Sequence, residues 1–334
     1  MVCRQRVGRV PACQGLPRNG PLKLPCPCRD YPRRLNAYWH RTQRMSTQVT
    51  FMTTHSADLN GQALAIRAER IDAANWFDDF AAAPAPVRQA LGLNTVQIGE
   101  LAMVRSHVPF SHFNMVMTLG CPAAADDAAF DAIDRFYAEG GNRRHWIVVN
   151  PHSQPANLDQ TLGQRGYAPD GAWERVVCQG SNIHRWAEFA QGCELVTPAN
   201  MADWSAWVLA CYQMPALIGD WLRALVGRPG WLHAVRREGG QAGAKVVMAR
   251  SLYQDDDGWA WLGIDAPVPG IMAPCFEDDQ RVVATLLTAA AANGARAFVS
   301  DIEVPSPSLD SEAYRRWTAL GFTPAYLRAL YARG

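Results

Sequence analysis

The chain has 334 residues, of which 49% are apolar and 19% charged, with a formal net charge of +1. That is enough for one large domain or two of ordinary size, and a charge near zero gives no general attraction for nucleic acid or an anionic membrane surface. No run approaches the roughly 20 apolar residues that span a bilayer, so the sequence predicts a soluble cytoplasmic protein with no membrane or nucleic-acid partner.

Residues 1–44 stand apart. They hold Cys3, Cys13, Cys26 and Cys28, many Arg and Pro, and almost no acid before Asp30. A secretory leader needs a continuous apolar core, which this stretch lacks. Cys26 and Cys28 with His40 make a poor zinc set, because tetrahedral sites usually separate paired cysteines by roughly two to four residues. A transit peptide is a further reading. The expectation carried forward is that translation starts at Met45 and that 1–44 is disordered or never made, because basic, Pro-rich, aperiodic sequence buries too little surface to offset its ordering entropy. The remaining cysteines, Cys121, Cys178, Cys193, Cys211 and Cys275, show no disulfide or metal-binding spacing. They imply a reducing compartment and no metal.

From Met45 onward one rhythm occurs twice. Phe113–Gly120 reads as a strand entering a turn at Gly120-Cys-Pro122. Asp126–Glu139 reads as a helix with Phe130, Ile133 and Tyr137 on one face, stopped by Gly140-Gly141. His145–Val149 is a β-branched strand, a short helix ends at Gly166-Tyr167, and Trp173–Cys178 is another strand. Gln179–Asn200 includes a connecting segment, and Met201–Val226 reads as opening helices. Lys245–Leu252 and Trp259–Asp265 then form a hairpin turning at Gln254-Asp-Asp-Asp-Gly258. Phe276–Ala292 is a helix striped by Val283, Leu286, Leu287 and Ala290, stopped by Asn293-Gly294. Ala295–Asp301 is a strand, Pro305-Ser-Pro307 a break, Asp310–Leu320 a helix and Tyr326–Tyr331 a closing strand. Strand–helix–strand–helix–strand met twice predicts α/β architecture with mixed sheets, as domains 45–180 and 181–334. One larger α/β domain without internal repetition stays open.

The run Asp310-Ser-Glu-Ala313-Tyr-Arg-Arg-Trp317-Thr-Ala-Leu-Gly321-Phe322 resembles the segment that closes the last long helix of the GNAT (GCN5-related N-acetyltransferase) superfamily, usually Asn-x-x-Ala-x-x-x-Tyr-x-Lys-x-Gly-Phe. Arg165-Gly166-Tyr167 is similar to a worn copy of the same turn. The resemblance covers about Ala63 to Tyr331 and implies two tandem GNAT-like folds. It implies that acyl-coenzyme A lies where the fourth and fifth strands splay, with the pyrophosphate on the next helix N-terminus. Free N–H groups and the helix dipole bind anions there, and glycines let the backbone approach. Carried onto this chain, the co-substrate, acetyl-CoA or another acyl-CoA, would lie on Gly263, Ile264, Asp265 and Ala266, with Gln280 and Arg281 at the helix start.

The chain departs from that pattern. The loop Pro267-Val-Pro-Gly270-Ile-Met-Ala-Pro-Cys275 has a single glycine and three prolines, which lack N–H donors. Glu277, Asp278 and Asp279 follow at the positive end of the dipole, where each like-charge pair at about 6 Å costs roughly 1–3 kcal/mol. Gly120-Cys-Pro-Ala-Ala-Ala-Asp-Asp127 also lacks a glycine-rich cradle. Trp317 stands where many relatives have a Tyr acid, and an indole is no general acid.

Asp301 and Glu303 are candidate general bases at the end of a strand, and equally a solvated strand end before a proline turn. Tyr314 is a candidate proton donor if its helix is rotated. His145 and His233 read as structural, and His107 and His112 as a loop facing the interdomain cleft. Trp204, Trp207, Trp221 and Trp231 form core, interface or an apolar acceptor pocket. The function expected is acyl-coenzyme A-dependent N-acetyl transfer to a small-molecule amine acceptor by direct attack on the thioester. The alternative is an inactive GNAT-fold binding module.

Overall fold

The structure, a computed structural model, describes residues 59–333 apart from 109, 142–143, 181–182, 242, 267–275 and 304–307. The leader, its cysteines and the Pro267–Cys275 loop lie outside the described residues. The first half of the chain folds as α1 (Leu59–Ala82), α2 (Ala85–Leu91), β1 (Asn94–Ile98), β2 (Leu101–Arg105), β3 (Met115–Met117), α3 (Asp127–Glu139), β4 (Trp146–Val149), α4 (Leu158–Gln164) and β5 (Ala168–Gln179). It continues as α5 (Ile183–Phe189), β6 (Cys193–Leu195), α6 (Met201–Tyr212), α7 (Leu217–Leu225), β7 (Trp231–Arg237), β8 (Val246–Gln254) and β9 (Trp259–Ala266). Last come α8 (Phe276–Ala292), β10 (Ala297–Ile302), α9 (Glu312–Ala319) and β11 (Thr323–Ala332). Among the described residues no helix is long and apolar enough to cross a membrane.

The strands form one 11-stranded sheet in the order β1-β2-β3-β4-β11-β5-β10-β9-β8-β7-β6. Among the described residues only β3/β4 and β9/β10 pair in parallel. The two halves exchange their last strands: β5 leaves the first half to pair with β10, and β11 leaves the second half to pair with β4. The exchanged strands meet each other antiparallel at the centre. The sequence step that carries Gly166-Tyr167 onto Gly321-Phe322 also carries Trp173 onto Arg328, and the ladder pairs Arg328 with Trp173. An approximate two-fold axis therefore passes through that pair, and the fold is two tandem copies of one α/β unit.

Period-two alternation sends the strands' side chains to two cores. Val176 and Cys178 meet α8 and α9 on one face, while Val177 meets Ala65, Ala68 and Ile71 of α1 on the other. Trp204, Trp207, Trp221 and Trp231 are all buried in the apolar core on the α1 face. His145 stacks on Tyr137 at 3.7 Å and bonds the Tyr167 hydroxyl at 2.8 Å; burial pushes its pKa down to about 3. His233 lies 2.7 Å from the Ser251 hydroxyl, and burial pushes it down to about 4. Both are structural.

α1 buries acids. Glu69 and Asp72 face Arg328 at 2.8 and 2.7 Å, and Asp72 also takes Arg175 at 3.0 Å. Asp301 of β10 meets Arg175 at 3.0 Å and Arg328 at 2.7 Å, and the Tyr326 hydroxyl donates to Glu69 at 2.9 Å. The guanidiniums of Arg175 and Arg328 lie over Trp261 and Trp173. Arg175 and Arg328 are at most 1% exposed, so removing either leaves carboxylates buried and unpaired. Arg328→Met should cost about 3–5 kcal/mol of unfolding free energy, read from urea denaturation.

Asp79, on the same helix, is pushed up to about 8, chiefly by burial and then by the neighbouring Asp78 carboxylate. Unfolded, it ionises near 3.8, so the folded protein holds a proton that the unfolded chain releases. Stability from this group is full below about pH 4 and is lost as pH rises through about 8. Asp79→Asn should remove that loss: the variant's advantage over wild type should grow by up to about 1.4 kcal/mol per pH unit across this window, measured by denaturation at several pH values.

Candidate functional site

β9 and β10 part. Their parallel ladder ends at Val299 opposite Trp261, although β9 runs on to Ala266 and β10 to Ile302. A side-chain bond from the Ser300 hydroxyl to the Leu262 carbonyl at 3.3 Å lies just beyond. β9 also bulges away from β8: Ser251 faces Gly263 and Ala249 faces Ala266, so β9 uses one residue more than its partner. The bulge contains Ile264 at φ +38°, a β-branched residue in the left-handed region, which costs about 1–3 kcal/mol and persists only where its surroundings enforce it.

What enforces it is α6. The Tyr212 hydroxyl donates to the Asp265 carbonyl and approaches its carboxylate at 3.1 Å, and the Trp207 indole donates to the Ala266 carbonyl at 2.9 Å. Arg250 of β8 reaches the Asp265 carboxylate at 3.4 Å and also grips Asp279 in the first turn of α8. Burial, then Glu303 and Asp279, push the Asp265 carboxyl up, and Arg250 offsets only part of this. Gly263, Ile264, Asp265 and Ala266 thus lie together on one wall of the gap. A Cβ on Gly263 would sit 3.1 Å from the Trp261 indole nitrogen.

The three acids opening α8 each meet an arginine. Glu277 takes Arg281 at 2.6 Å, Asp278 takes Arg236 at 3.2 Å, and the fully buried Asp279 takes both Arg250 and Arg316. Burial works against a charged Asp279, yet the two guanidiniums hold its carboxyl below the usual range. The negative charge at this helix start is therefore neutralised locally, and the repulsion expected from three bare carboxylates is largely offset. Arg281 is held on an exposed pair with Glu277, and Gln280 is half-buried beside it.

At the end of β10 two carboxylates differ sharply. Both oxygens of Asp301 point to buried arginines, and burial raises its pKa to about 6 against the pull of Arg175 and Arg328. Glu303 is 44% exposed and lies 3.7 Å from His112, whose ring is 31% exposed. Burial opposes its charge, but His112 and then Arg250 outweigh this and hold its carboxyl below the usual range. His112 stacks on Trp173 at 5.3 Å and meets Trp146 edge-on. Tyr314 is buried away from this group: its hydroxyl donates to Glu174 at 3.3 Å, and burial pushes its pKa up to about 12. Trp317 is buried against Phe322. Tyr212 and Arg250 carried no motif in the sequence; α6 and the neighbouring strand β8 bring them to β9. No metal-binding cluster occurs among the described residues.

The corresponding gap in the first half is filled by its own chain. β3 and β4 pair only at Met115/Trp146 and Val116/Ile147. Beyond them Gln154 N–H donates to the Gly120 carbonyl at 2.7 Å, and Ala125 N–H donates to the Gln154 carbonyl at 2.8 Å. The Asp126 carboxylate accepts from Ala129 N–H at 2.8 Å, capping the helix that follows. Thr118 keeps φ +61°, near the position Ile264 holds in the second half.

No protein-family model and no curated protein matches the chain. Among solved structures, a GCN5-related N-acetyltransferase from Kribbella flavida superposes with a TM-score of 0.53 at 15% identity, over 80% of this chain and 95% of that one. A tandem GNAT protein from the clavulanic acid biosynthesis pathway gives 0.46 at 11% identity over 71% and 81%, and a GCN5-related N-acetyltransferase from Sphaerobacter thermophilus gives 0.45 at 11% over 71% and 82%. The first of these, together with the parted strands and the exchanged β5 and β11, shows that the chain has the fold of the GCN5-related N-acetyltransferases.

Proposed function

We propose that the protein is an acyl-coenzyme A-dependent N-acetyltransferase, acting on a small amine by direct attack on the thioester in the gap between β9 and β10. The observation that carries this reading is the parting of those strands beside a strained bulge, which leaves one gap wall unpaired by its neighbour. In this reading the acyl-coenzyme lies along Gly263–Ala266, with Gln280 and Arg281 at the helix beyond. Residues 45–180 act as a scaffold domain and 181–334 carry the site. The first-half gap supports this division, because its backbone groups and helix start already have partners from the chain itself. Glu303 is the better-placed base, since it reaches the surface while Asp301 is tied to two arginines. Asp301 then holds β10, and the proton on the departing thiol comes from the amine rather than from Tyr314.

One observation favours the second reading, an inactive ligand- or protein-binding module. The Tyr314 hydroxyl is engaged by Glu174, and an indole occupies the position of the usual acid. Calorimetry with acetyl-CoA separates the two: micromolar binding, weakened by Arg281→Ala, supports transfer. Absent or millimolar binding overturns it.

Two variants test the assignment of the gaps. In Ile264→Gly, relief of strain and the entropy cost of glycine should leave stability within about 1 kcal/mol of wild type, while acetyl-CoA affinity falls by about tenfold. In Gly120→Ala, the new Cβ would fall 2.4 Å from the Gln154 carbonyl oxygen at φ +74°. Thermal unfolding should show a loss of more than about 1 kcal/mol, with acetyl-CoA affinity unchanged.

A further inference from the structure

Two neighbouring acids of α1 meet α7 in opposite ways. Asp78 is paired: Arg228, in the turn after α7, reaches it through Nε and Nη2 at 2.5 and 2.8 Å, and the Trp231 indole donates to it at 2.7 Å. Asp79 is buried where α7 rests on α1. There the Trp221 indole donates to the Asp79 backbone carbonyl at 2.7 Å and meets Phe80 edge-on at 5.5 Å. Among the described residues no cation pairs with the Asp79 carboxyl. Arg228 is held by Asp78, Arg223 of α7 pairs with Asp220 at 2.5 Å, and Arg88 of α2 donates to the Ala83 carbonyl at 3.1 Å. Tyr253 of β8, beside Asp78, stays a neutral phenol because burial raises its pKa. A carboxylate buried without a partner is costly, so the contact suits the neutral acid and opposes its anion.

The same contact leads to the gap. α7 shares one apolar core with α6, in which Trp207, Val208, Trp221 and Leu222 lie together, and Arg223 donates to the Ser205 hydroxyl at 3.4 Å. α6 in turn holds β9 through Tyr212 and Trp207. Close-packed helices have little slack, so a shift of one moves the next. We propose that Asp79 is a proton-controlled latch: with its carboxyl neutral, α7 seats on α1 and α6 holds the gap wall; with it ionised, α7 lifts and the wall loosens. The latch does not depend on the chemistry carried out in the gap, and only its coenzyme readout rests on the transferase reading above. Exposed, the group ionises near 3.8; seated, it is pushed up to about 8 by burial and then by Asp78. Opening therefore releases a proton between these two values. It becomes about tenfold easier per pH unit there and gains nothing further above about 8.

Hydrogen exchange, taken as protection relative to the intrinsic rate, tests the latch from about pH 5 to 9. Protection of the α7 amides should be lower than that of central β5, fall about tenfold per pH unit, and level off above about 8. The amides of Ile264–Ala266 should follow it, and acetyl-CoA affinity should fall about tenfold between about pH 6 and 8. In Asp79→Asn both slopes should vanish. Should that variant fail to fold, Asp78→Asn serves: it removes the like charge and frees Arg228, so the levelling-off should move to lower pH. The same slope in Asp79→Asn, or an unmoved levelling-off in Asp78→Asn, overturns the latch. So does α7 protection equal to that of β5, which means that only the whole fold opens. Unchanged exchange at Ile264–Ala266, or unchanged affinity for bound acetyl-CoA, overturns its link to the gap. No acetyl-CoA binding at any pH overturns the transferase reading alone, because exchange still reads the latch.

Discussion

The ion cluster at the pseudo-two-fold axis is the constraint on which the rest of the architecture depends. Three carboxylates from α1 and β10 and two guanidiniums from β5 and β11 lie buried where four elements meet. A buried charge is tolerable only when paired, so these elements have one mutual arrangement in which none is left alone. Because β5 and β11 are the exchanged strands, the cluster locks each half into the other. It also holds β10 from the α1 face through Asp301. Asp301 lies beyond Val299, the last residue of β10 in its ladder with β9. Apolar packing could supply comparable stability, but it is less directional and would not fix the strand ends as tightly.

Two copies of one unit have then been put to different use. In the first, the chain after β4 turns back so that Gln154 bonds Gly120, and glycine is required there because any Cβ would strike that backbone. In the second, the equivalent wall is held apart by long-range bonds from Tyr212, Trp207 and Arg250. Both copies place a β-branched residue at positive φ, Thr118 in the first and Ile264 in the second. One gap is thus filled by its own backbone, whereas the wall of the other is held by side chains from two elements, α6 and β8.

Much of this was legible in the sequence wherever an element's pattern was local. The helix Phe276–Ala292 follows from its apolar stripe and its Asn-Gly stop, and the repeated Gly-aromatic turn marks both copies. α1 was not legible, although it is the longest helix described. Its buried side carries Glu69, Asp72, Asn75 and Asp79, which erase the apolar stripe. Their partners Arg175 and Arg328 lie far away in sequence, so the pattern makes sense only after folding. The same limit applies to Glu277, Asp278 and Asp279. Read alone they are three like charges at a helix start; folded, each has a guanidinium from a different part of the chain or one turn on.

The candidate site shows why motif reading reaches one wall of such a gap and misses the other. Motifs are stretches of contiguous chain, and the run ending at Gly321-Phe322 places β10, α9 and β11 in order. The strand exchange puts the dyad between Trp173 and Arg328, so Trp173 from the first half stands beside the second-half gap and supports His112. A histidine in a loop before β3 has no reason, in sequence, to meet a glutamate after β10. In the fold, His112 lies against Trp146 of β4 and Trp173 of β5 and comes within 3.7 Å of Glu303 beyond the end of β10. Residues from both halves of the chain therefore meet beside the β9/β10 gap, a juxtaposition that no contiguous motif records.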